Sequence, residues 1–81
     1  MIQIEYIPHI GNYAGKVFKP HQFKDGSYVV SKTRFQRDYM HVDTYEEIIK
    51  HLDMGYRVRV SDSITKSSPS LVRKESLKIT Y

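Results

Sequence analysis

Between Asp43 and Gly55 the apolar residues repeat with a helical period, and that stretch constrains how the rest of the chain can fold. Tyr45, Ile48, Ile49 and Leu52 fall at i, i+3, i+4 and i+7, forming one stripe that must face a core. Asp43 is a suitable N-cap, and Glu46 three residues on completes a capping-box pattern. Gly55 stands where a left-handed residue ends a helix, so the helix is expected to stop near Met54.

The remaining apolar residues follow a period of two. Ile2, Ile4 and Tyr6 alternate with Gln3 and Glu5 as in a half-buried strand, which Pro8 should end. Gly11, Asn12 and Gly15 mark a turn or irregular loop. A short strand over Lys16 to Lys19 should stop at Pro20. Asp25-Gly26 signals a tight turn before a β-rich run from Tyr28 to Phe35, so the second and third strands are expected to form a hairpin looped from Pro20 to Gly26. Gln36 to His41 fits a loop or a continuation of that strand past a bend. After the helix, Tyr56, Val58 and Val60 alternate with Arg57 and Arg59; Asp62 to Pro69 is a polar loop, Ser70 to Val72 a brief strand, and Leu77 to Tyr81 a closing one. The expected fold is α+β: one domain over residues 1–81, with a small antiparallel sheet of four to five strands and one helix packed on one face, in the order β-β-β-α-β-β.

Several chemistries fall away. With 81 residues and no cysteine, the chain has room for one modest core and none for disulfides or thiolate zinc sites; a reducing, cytoplasmic setting is the expectation. No signal peptide is visible at the start, and apolar runs of two or three residues predict no membrane span. The strand-to-helix turn at Val42-Asp43 lacks the glycines and lysine of a phosphate loop. His9, His21, His41 and His51 show no i, i+4 pair that would present two imidazoles to a metal. Asp38, His41 and Asp43 cluster around Tyr39, but Asp43 is assigned to the cap, and Glu46 and Glu47 point about 100° apart on a helix. No catalytic, metal or cofactor residues are expected.

Two features stand out. The first is charge: the chain carries +4 overall, but Asp43 to Met54 holds four acids and one base, leaving 12 bases and five acids elsewhere. Arg57 and Arg59 share one face of their strand, and Lys32 and Arg34 one face of theirs, with Arg37 near its end. If those faces converge, they form a phosphate-binding patch, and Tyr28 has the right parity to offer a stacking surface beside it. The second is tyrosine, seven of 81 residues, a type enriched with arginine at binding hot spots. Tyr6, Tyr45 and Tyr56 have core parity, whereas Tyr13 and Tyr39 lie in irregular segments and are interface candidates.

From His41 to Ile79 the chain reads His-Val-Asp-Thr-Tyr-Glu-Glu-Ile-Ile, Met-Gly-Tyr-Arg-Val-Arg-Val-Ser, Pro-Ser-Leu-Val and Ser-Leu-Lys-Ile. This half resembles small phage and prophage proteins, of which anti-CRISPR proteins are the best-known group. The resemblance implies a compact, non-catalytic inhibitor or accessory protein that docks on a host protein or nucleoprotein complex in the host cytoplasm. The basic strands support an alternative, a small nucleic-acid-binding module that uses a cationic sheet face. The oligomeric state is left open.

Overall fold

The computed structural model describes residues 1–35, 37–62 and 70–81. Among the described residues one α-helix packs on an antiparallel sheet in an α+β arrangement of seven short strands and that helix, in the order β1 (Gln3–Glu5), β2 (Lys19–Pro20), β3 (Tyr28–Ser31), β4 (Tyr39–Val42), α1 (Tyr45–Asp53), β5 (Arg57–Ser61), β6 (Ser70–Arg73) and β7 (Lys78–Thr80). The helix follows the fourth strand instead of the third, because residues 39–42 form a strand of their own against β3. The third strand ends at Ser31, short of Phe35. Lys32 to Phe35, Arg37 and Asp38 therefore belong to the turn between β3 and β4. Most of the polar loop expected over Asp62 to Pro69 lies outside the described residues.

β5 is the central strand. On one edge it pairs with β6 along its length, Arg57 with Arg73 through Val60 with Ser70. Its other edge takes β3 at Val58 and Arg57 and β2 at Ser61 and Val60. The expected hairpin between the second and third strands is therefore corrected: both lie against β5, one after the other. The segment between them turns back at Asp25-Gly26, closed by the antiparallel Gln22–Tyr28 bridge and by the 2.8 Å bond from the Phe23 amide to the Ser27 carbonyl. Gly26 has φ +89° there, a conformation other residues adopt only with strain. β2 ends at Pro20, opposite Val60, as expected, but starts at Lys19 and not at Lys16.

Directly paired residues of an antiparallel sheet share a face, so the register sorts the side chains. Tyr28, Val30, Val42, Val58, Val60 and Val72 turn toward the helix and meet Ile48 and Leu52 in the core. β1 and β7 form a second, two-stranded sheet. Two reciprocal 2.8 Å backbone hydrogen bonds between Tyr6 and Phe18 tie it to the segment that enters β2, and Ile4 and Phe18 are fully buried beneath. No helix among the described residues is long and apolar enough to cross a membrane.

The helix begins one residue later than its sequence pattern suggests. Thr44, not Asp43, is the N-cap, and its Oγ1 accepts from the Glu47 amide at 3.2 Å. Gly55, at φ +94°, follows the last turn as expected. All four acids of this segment, Asp43, Glu46, Glu47 and Asp53, are exposed, and Asp53 forms an ion pair with Lys74.

Candidate functional site

On the sheet face away from the helix, one register row crosses four strands: Tyr39 of β4, Ser31 of β3, Arg57 of β5 and Arg73 of β6. Neighbouring strands lie about 4.8 Å apart, so this row spans roughly 14 Å. Ser31 at its second position is fully buried. At the far end two guanidinium-bearing residues sit directly opposite each other, an arrangement that disfavours the sheet. Among the described residues, no carboxylate forms an ion pair with Arg57 or Arg73.

The turn after β3 folds over this end. Asp38 Oδ1 accepts from Ser31 Oγ at 2.9 Å and from Thr33 Oγ1 at 3.4 Å. The Thr33 amide donates to Ser31 Oγ, and the Phe35 amide to Thr33 Oγ1, both at 3.3 Å. These bonds hold Asp38's carboxyl below its ordinary range, the Ser31 hydroxyl contributing most. So fixed, the turn sets Lys32, Arg34 and Phe35 around one groove with Arg57 and Arg73. Phe35 is 65% exposed and stacks on the Arg34 guanidinium, 4.9 Å from its ring centre. Lys32 reaches over the Tyr56 ring at 6.0 Å.

Of the residues singled out from sequence, Lys32, Arg34 and Arg57 meet in this groove, and Tyr39, 56% exposed, lies in the same register row. Arg37 is exposed on the turn. Arg59 lies further along β5, beside His21, whose pKa is lowered by burial and then by that arginine. Tyr13 packs edge-on against Phe18 at 5.4 Å, under Lys16, away from the groove. One expectation is overturned: Tyr28 does not lie beside the cations but is 8% exposed against Tyr45, on the helix side. Phe35 takes the aromatic position instead. Arg73 escaped the sequence reading because it lies one residue past the expected end of its strand; the Leu71–Arg73 alternation was the available signal.

His41 and His51 make hydrogen bonds within the fold. Ser27 Oγ donates to Asp25 Oδ1 at 2.6 Å, which leaves it to accept from His41 Nδ1 at 3.0 Å. His51 Nδ1 bonds the Glu47 carbonyl at 2.7 Å, not that residue's side chain, and its ring packs on Tyr56. Among the described residues no three histidine or acidic side chains gather to hold a metal. A cleft of about 900 Å³ lies elsewhere, between Pro20, Phe23, Tyr28 and Tyr45. It is lined by both Lys24 and Asp25, so its charge singles out no ligand; the groove's own lining carries cations and no carboxylate, and among the described residues no acid forms an ion pair with Arg57 or Arg73. Compared with protein-family models, curated proteins and solved structures, the chain matches none.

Proposed function

We propose that this chain is a non-catalytic binding protein that takes the backbone of a single-stranded nucleic acid into the groove between the β3–β4 turn and the β5–β6 ladder. The observation that carries this reading is the directly opposed Arg57–Arg73 pair, joined by Lys32 and Arg34 and answered by no carboxylate among the described residues. Like charges held together raise the energy of the free protein, and a phosphate between them relieves it. Phe35 and Tyr39, both largely exposed near the cations, offer stacking faces to unpaired bases. The acidic helix on the opposite face would orient the molecule on such a strand. The resemblance of the second half to small phage proteins supports a setting for this contact: an inhibitor or accessory protein docking on a host nucleoprotein complex.

The test is binding of a short fluorescent single-stranded oligonucleotide across a series of salt concentrations. Four phosphate contacts at about 0.7 each give a log–log slope of roughly −3. Arg57→Gln and Arg73→Gln should each weaken binding and flatten that slope by about 0.7. A wild-type slope near zero, or variants that bind as the parent does, would remove the reading.

A further inference from the structure

We propose that β4 is a dimerisation edge, through which two copies of this chain pair antiparallel about a two-fold axis at Met40. β4 is the last strand on its side of the sheet, and among the described residues it pairs only with β3. In an antiparallel strand every second residue directs its N–H and C=O away from the existing partner, so the outer side of β4 presents a template for another strand. Proteins usually blunt such an edge with lysine, proline or a charge within the strand. Tyr39-Met40-His41-Val42 has none of these, and Tyr39 and Met40 are 56% and 41% exposed.

The residues flanking the strand name its occupant. When β4 pairs with its own copy about Met40, Tyr39 meets His41, and Arg37 and Asp43, which flank the two ends of the strand, come to each end of the ladder from opposite chains. Two ion pairs then close the ends of the ladder, and Met40 meets Met40 on the helix side. Moving the axis half a residue toward His41 sets Asp38 against Asp43, two like charges. Moving it either way by half a residue also pairs helix-side residues with those of the opposite face, which register in a one-sided sheet forbids. Only the Met40 axis keeps both helices on one side of a continuous sheet while matching the charges. The resulting contact is isologous, as a two-fold dimer requires.

Sedimentation equilibrium of the full chain over a range of concentrations tests this, with circular dichroism to confirm that each variant is folded. The wild type should move from monomer to dimer as concentration rises. Arg37→Asp should weaken association roughly tenfold, because two exposed ion pairs become repulsive. Asp43→Arg should do the same, and the two changes together should restore the dimer. Met40→Lys, which sets two cations on the axis, should abolish it. A wild type that stays monomeric to its solubility limit overturns the proposal, as does a dimer indifferent to these changes.

Discussion

The hydroxyl of Ser31 shows how much one small side chain can organise. It lies buried between Tyr39 and Arg57 in the row that ends at Arg73, donates to Asp38 and accepts from the Thr33 amide, and so decides where the turn holds Lys32 and Arg34. Ser31→Ala should move the Asp38 titration up toward its ordinary value, since the hydroxyl is the main cause of its depression; NMR titration of that carboxyl reads the change directly. A depressed carboxyl pKa contributes stability that is present above the unfolded value and is lost as pH falls through the folded one. Asp25, held down chiefly by Ser27, adds to the same acid limb. His21 acts at milder pH. Burial and then Arg59 lower it from 6.5, so its contribution is complete above that value and fades as pH falls below it. His21→Gln should flatten the stability profile just below pH 6.5, measured by urea denaturation at stepped pH. None of this was readable from the chain, because the partner of His21 is Ser61, forty residues away.

At the scale of elements, the helix was legible and its first residue was not. Asp43 and Thr44 are both good caps, each with a glutamate three residues on, and the apolar stripe starts at Tyr45 in either case. The structure assigns the work to Thr44. Thr44→Ala should therefore lower stability by about 1 kcal/mol, whereas Asp43→Ala should change it far less, both measured by thermal unfolding. Gly55→Ala should lower it by about 1 kcal/mol through backbone conformation alone, because nothing lies within 4 Å of an added Cβ. The strands were harder to place. The Asp25-Gly26 turn was visible as local chemistry, but whether the flanking strands pair with each other or with β5 is a long-range choice of register. β3 blurs the pattern further: all four of its residues are buried, so the alternation that distinguishes its two faces is missing from its burial.

For the whole molecule, the separation of charge was plain in the sequence: an acidic helix against a basic remainder. The structure puts the helix and the opposed Arg57–Arg73 pair on opposite faces of one sheet, and brings Lys32, Arg34 and Arg57 to one groove as their types suggested. It also adds Arg73 and Phe35 and leaves Arg59 and Tyr13 aside, because convergence depends on which residues face each other across the β5–β6 ladder. The most direct test of the nucleic-acid reading is to follow backbone amide signals by NMR while a single-stranded oligonucleotide is added. Shifts should concentrate at Lys32, Arg34, Phe35, Tyr39, Arg57 and Arg73 and leave Glu46, Glu47 and Lys50 on the helix unmoved. Shifts confined to the helix or to the loop around Tyr13, or none at all, would contradict it.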